Sequence, residues 1–116
     1  MSPQVLRECR FLIPLSRDKE TSDGELHQSD TWQWLDSELA ERFGGRTKST
    51  EKLQGTWKNP KTGAITSDES IQFIVAVQEV CLDELRDVLS LACVVFAQQC
   101  IYLSIAGNVE FVEPKT

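Results

Sequence analysis

Ile71-Gln72-Phe73-Ile74-Val75-Ala76-Val77-Gln78 is the stretch that decides the fold. Ile71, Phe73, Val75 and Val77 share one parity, against Gln72, Ile74, Ala76 and Gln78 on the other. That two-residue period is a strand with one face committed to a core. Upstream, Asn59-Pro60-Lys61-Thr62-Gly63 is a turn, because proline pre-sets φ at its first corner and glycine accepts positive φ after it. The segment Thr47 to Trp57 is then the antiparallel partner, with Leu53, Gly55 and Trp57 on one parity. Downstream, Leu82 to Gln99 carries Leu82, Leu85, Leu89, Ala92, Cys93 and Phe96 at helical spacing. Asp83 and Glu84 sit in its first turn, where carboxylates favour the helix dipole.

The ends of the chain complete the pattern. Val5 to Ile13 alternates as a strand, and Pro14 stops it. Ser16 to Gln28 is polar and reads as a mobile loop. A helix over about 30–43 follows, with Asp30 and Gln33 in capping-box spacing and Trp32, Leu35, Leu39 and Phe43 on one face. Gly44-Gly45 ends it. Ile101 to Val112 is extended, with a bulge or bend at Gly107-Asn108. The order strand, helix, strand, strand, helix, strand predicts one α+β domain over 1–116 with its core at about 5–112. The simplest burial for it is the ferredoxin-like βαββαβ arrangement, two helices on one face of a four-stranded antiparallel sheet.

Composition narrows the class of function. The chain has 116 residues, 18 acidic against 12 basic, a net charge of −6 and a pI near 4.7. A phosphate-binding surface needs an excess of Lys and Arg, so no nucleic-acid partner is expected. RNA-recognition modules share the topology, but their basic, aromatic signature is missing here. No apolar run reaches the length of a membrane span, and Met1-Ser2-Pro3-Gln4 has no signal-peptide character. A cytoplasmic location and no membrane partner follow as expectations.

Cys9, Cys81, Cys93 and Cys100 have no C-x-x-C spacing, and the only histidine, His27, lies far from them in sequence. Cys9 and Cys93 read as buried small hydrophobes, Cys81 and Cys100 as partly exposed residues flanking the second helix, and His27 as an exposed loop residue, so neither a metal nor a cofactor is expected. No nucleophile elbow, phosphate loop or triad pattern is present. Asp68 and Glu69 are adjacent on a strand and point to opposite faces, a poor acid–base pair. Glu69 alone could be a buried acid near Trp57.

Arg42-Phe43-Gly44-Gly45, Gly55-Thr56-Trp57 before Asn59-Pro60, then Gly63, Ile65 and Glu69-Ser70 form an ordered series. Phe96-Ala97-Gln98-Gln99-Cys100 and Val109-Glu110-Phe111 continue it. In these residues the chain resembles a family of small bacterial proteins known only as a domain of unknown function. The resemblance implies a ferredoxin-like α+β fold and no activity. The polar loop 16–28 and the absence of the export signal that some members carry are departures from it.

Two classes of function stay open. The leading expectation is a non-enzymatic binding or assembly module that self-associates through its sheet, since catalytic motifs are missing and apolar residues exceed one core. The alternative is a small cofactor-free enzyme or small-ligand-binding protein of the dimeric α/β-barrel type. Its pocket would lie between sheet and helices and use Trp57, Glu69 and Tyr102 as polar and aromatic groups. The second sheet face, with Leu12, Ile74 and Ala76, is apolar at its centre and polar around it, which suits a homodimer. Trp34 stands about 200° from Trp32 around the helix and is expected to face outward, as an interface residue or the rim of a pocket.

Overall fold

The computed structural model describes residues 5–115; Met1 to Gln4, read above for a targeting signal, lie outside them. The elements are β1 (Leu6–Pro14), α1 (Ser29–Phe43), β2 (Thr47–Lys48), β3 (Leu53–Lys58), β4 (Ile65–Gln78), α2 (Leu82–Val95), β5 (Ile101–Ile105) and β6 (Asn108–Val112). A single 3-10 turn, Glu79–Cys81, leads into α2. The sheet is antiparallel with six strands, ordered β2-β4-β1-β5-β6, and β3 pairs with β4 beyond β2.

Six strands correct the expectation of four, and two local devices account for the difference. The expected strand from Thr47 to Trp57 is broken, so that β2 pairs at Phe73–Ile74 and β3 at Ile65–Ser70 of the same partner. Ser49 bridges the gap: its N–H donates to Gln72 O and its Oγ accepts from Gln72 N. The second device is at the end of the chain, where Ala106 and Gly107 both take positive φ, 49° and 89°. Two such residues make the hairpin turn whose twist matches its strands, so the expected bend becomes a reversal and β6 returns along β5.

α2 ends at Val95, four residues before its expected end at Gln99. Ala97 takes the left-handed conformation at φ 50°, and Gln98 N donates back to Cys93 O at 2.8 Å. This is a Schellman-type stop built on alanine rather than glycine. α1 ends as expected, at Gly44 with φ 84°. Its expected capping box is absent: the N-cap is Gln28, and no side chain caps the helix.

Both helices cover one sheet face. There Cys9, Phe11, Ile13, Phe73, Val75, Val77, Ile101, Leu103 and Ile105 meet Leu35 and Leu39 of α1 and Leu85, Leu89, Ala92 and Cys93 of α2. Phe11 stacks on its cross-strand partner Phe73 at 5.1 Å, and Phe96 closes the layer. This side is filled with fully buried residues, which leaves the opposite sheet face as the place for a site. No described helix is long and apolar enough to cross a membrane.

Candidate functional site

Directly paired residues of an antiparallel sheet share a face. Leu12 and Pro14 of β1, Thr66, Asp68 and Ser70 of β4, and Leu53, Gly55 and Trp57 of β3 all lie on the face turned away from the helices. Tyr102 of β5 and its partner Phe111 of β6 share it, their rings edge to face at 5.9 Å. Together with Asp18, Gln98, Gln99 and Cys100 these residues line a cleft of about 250 Å³. Trp57 forms one wall, Tyr102 and Phe111 another. Gly55 adds no side chain to the floor, where a Cβ would sit in ordinary contact with Asp68 Oδ1 at 3.6 Å.

The charge in the cleft is negative. Asp18 and Asp68 line it, and among the described residues no Lys or Arg does. Loss of hydration holds the Asp68 carboxyl above the ordinary aspartate range, and the Asp18 charge pushes in the same direction. Two acids beside three aromatic rings are suited to a cationic, flat-ringed guest: the rings offer stacking and cation–π attraction, and the acids offer charge. Among the described residues no group of three or more His, Cys, Asp or Glu could hold a metal ion.

Asp18 reaches the cleft because the 16–28 segment is fastened, against the expectation of a mobile loop. Ser16 and Leu26 form a β-bridge, and Arg17 clasps Asp23 with two hydrogen bonds of 2.7 and 2.8 Å. Gln98 Nε2 donates to Ser16 O, and Asp18 N donates to Ala97 O. Asn59 is buried at the Pro60–Gly63 turn; its Oδ1 accepts from Lys61 N while its Nδ2 donates to Glu20 Oε2 at 2.7 Å. His27, expected to be exposed, is half-buried against Phe96 at 4.8 Å and Trp32 at 5.5 Å, with Nε2 2.8 Å from Pro14 O. Burial holds its pKa below the ordinary histidine value.

Of the three pocket residues read from the sequence, the structure brings Trp57 and Tyr102 to the cleft and leaves Glu69 out. Glu69 pairs with Gln54, and its parity is that of the helix-facing Ile71, so Asp68 is the acid beside Trp57. The cleft also lies on the opposite side of the sheet from the one expected. Of the four interface residues, Leu12 lines the cleft, and Ile74 and Ala76 stand farther along the same face. Trp34 does not face outward: it packs against the core beside Phe96 at 6.5 Å and lines a groove with Val88 and Leu91 of α2. Sequence reasoning missed Asp18, Asp68, Gln99 and Phe111. Their shared face was readable only for Asp68, from the alternation of β4.

No family model and no curated protein matches this chain. Two solved structures resemble it over nearly their whole lengths. A phage SAM lyase in complex with S-methyl-5'-thioadenosine is 13% identical, with a TM-score of 0.69 over 97% of this chain and 95% of that one. A phage SAM lyase in the apo state is 14% identical, with a TM-score of 0.67 over 95% of this chain and 90% of that one. At such identity the likeness is one of fold. It corrects the expectation of a non-enzymatic binding or assembly module: both of these proteins that share the chain's fold are enzymes, and one of them holds a small nucleoside ligand.

Proposed function

We propose that the protein is an enzyme that binds S-adenosylmethionine in the cleft on the open face of its sheet and cleaves it as a lyase, with S-methyl-5'-thioadenosine as one product. The observation that carries this reading is the match of the cleft's chemistry to that substrate. An adenine ring and a sulfonium cation need aromatic walls and negative charge, and Trp57, Tyr102, Phe111, Asp18 and Asp68 line one cleft. The whole-length fold likeness to phage SAM lyases supports the same substrate.

The reaction asks little of the protein beyond such a cleft. The bond between the sulfonium sulfur and the four-carbon amino-acid chain breaks, its electron pair passes to sulfur, and the positive charge there disappears. The four-carbon fragment leaves by closing on its own carboxylate or by surrendering a proton to one of the cleft carboxylates, Asp18 or Asp68. A step that loses charge is favoured where apolar rings replace water around the sulfonium, and Trp57, Tyr102 and Phe111 supply such rings. Trp57 is assigned the adenine, and Tyr102 with Phe111 the thioether end. Incubating the purified protein with S-adenosylmethionine and separating the products by liquid chromatography tests the proposal. Release of S-methyl-5'-thioadenosine is expected, and an unchanged substrate pool would overturn it.

The open face also supports self-association. Beside the cleft, Leu6 and Val109 are exposed there, with Ile74 half-buried on the same face. A homodimer through this face is the second part of the proposal, in a ferredoxin-like domain that works in the cytoplasm. Light scattering over a dilution series should give twice the 13.1 kDa chain mass. Monomer mass at micromolar concentration, unaltered in Ile74→Glu, would remove the dimer.

A further inference from the structure

Asp18 is the one cleft carboxylate that comes from a loop rather than a strand, and its geometry is unusually constrained. A single oxygen, Oδ2, accepts from Thr21 N at 2.9 Å, Thr21 Oγ1 at 2.8 Å and Gln99 Nε2 at 3.0 Å. Oδ1 has no protein partner among the described residues. Three donors on one oxygen restrain the carboxylate while Oδ1 keeps its capacity to accept from or pair with a guest. Gln99 is itself held, since its Nε2 also lies 3.2 Å from Glu20 Oε2, the oxygen that Asn59 Nδ2 contacts at 2.7 Å. The chain from Asn59 through Glu20 and Gln99 to Asp18 thus ties the β3–β4 turn and the start of β5 to one side chain in the cleft.

We propose that Gln99, with Thr21, positions Asp18 as the residue by which the cleft tells a cationic sulfonium from a neutral thioether. This rests on the lyase reading above and extends it to specificity. Asp18, held in place, and Asp68 repel each other across a cleft without a lining Lys or Arg, and a positive guest between them relieves that repulsion. The sulfonium of the substrate supplies that charge. Once the carbon–sulfur bond has broken, the thioether product has none, so the same contact that selects the substrate no longer holds the product.

S-Adenosylhomocysteine differs from S-adenosylmethionine by the methyl group and the charge, which makes the pair a direct readout. Rapid-mixing tryptophan fluorescence gives both dissociation constants before turnover, for the wild type, Gln99→Leu, Thr21→Ser and Asp18→Asn. A charge-assisted contact of this kind is worth about tenfold or more in affinity. Gln99→Leu and Asp18→Asn should therefore weaken S-adenosylmethionine about tenfold and leave S-adenosylhomocysteine within about twofold. Thr21→Ser keeps both donors and should keep the wild-type ratio. Asp18→Asn preserves side-chain volume, so a folding defect in Gln99→Leu would not remove the test. Equal weakening of both ligands, or of neither, would overturn the positioning role while leaving the lyase reading intact. A wild type that binds neither ligand would overturn both.

Discussion

Truncating Trp57 separates binding from stability. Trp57 is half-buried on the face away from the helices and is not among the side chains of the hydrophobic core. Its backbone is secured by cross-strand pairing with Thr66, which any side chain at position 57 permits. Trp57→Ala therefore removes a wall of the cleft and little of the fold. Stacking of a base on an aromatic side chain is worth about 1–3 kcal/mol by alanine substitution, which is about a 5- to 150-fold loss of affinity. The stability cost should stay below about 1 kcal/mol, as for other replacements outside the core. Phe96 provides the contrast. It is fully buried, 5.1 Å from Trp32 and 4.8 Å from His27, so Phe96→Ala should cost about 3–5 kcal/mol. At about 4–8 °C per kcal/mol for a domain near this size, that lowers the melting temperature by more than about 10 °C. Titration calorimetry with S-methyl-5'-thioadenosine and scanning calorimetry, run on both variants, read the two quantities independently. A folded Trp57→Ala protein that binds within twofold of the wild type would refute the assignment of this wall to the adenine.

Gly55 has no positive φ, and its only near neighbour is Asp68, so Gly55→Leu should fold normally while filling the cleft; ligand binding should vanish at an unchanged melting temperature. Burial pushes the Cys93 thiol up to about 12, so a maleimide at pH 8 should leave Cys93 unmodified until the protein unfolds, as peptide mapping would detect. His27 has a depressed pKa in the fold, so below its ordinary value of 6.5 the unfolded chain takes up the proton first. Its contribution to stability is full above pH 6.5 and is lost as the pH falls toward the folded value; denaturant melts across that range should show this slope in the wild type and lose it in His27→Gln.

What the sequence made legible was periodic. The parity of Ile71 to Val77 places the core face of β4 correctly, and the same alternation carried two residues back puts Glu69 toward the helices and Asp68 toward Trp57. That alternation is why Glu69 is left out of the cleft that Trp57 and Tyr102 reach from β3 and β5. The side of the sheet was misjudged because the chain does not announce that Phe11, Phe73 and Phe96 fill the helix face completely. The sixth strand and the early end of α2 depend on Ala106 and Ala97 at positive φ, positions where glycine is the expected signal. The 16–28 segment looked mobile because its fastenings are long-range. Asn59 holds Glu20 across 39 residues, Gln99 holds Asp18 across 81, and Gln98 holds Ser16 across 82, which no local pattern encodes. Asp18 was missed with it.

S-Adenosylmethionine cleavage is assigned to the cleft on the open sheet face. A crystal structure of the protein with S-methyl-5'-thioadenosine tests it most directly. Density is expected in that cleft, with the adenine against Trp57 and the thioether near Tyr102 and Phe111. Density in the groove beside Trp34 and Leu91, or none at saturating ligand, would contradict it.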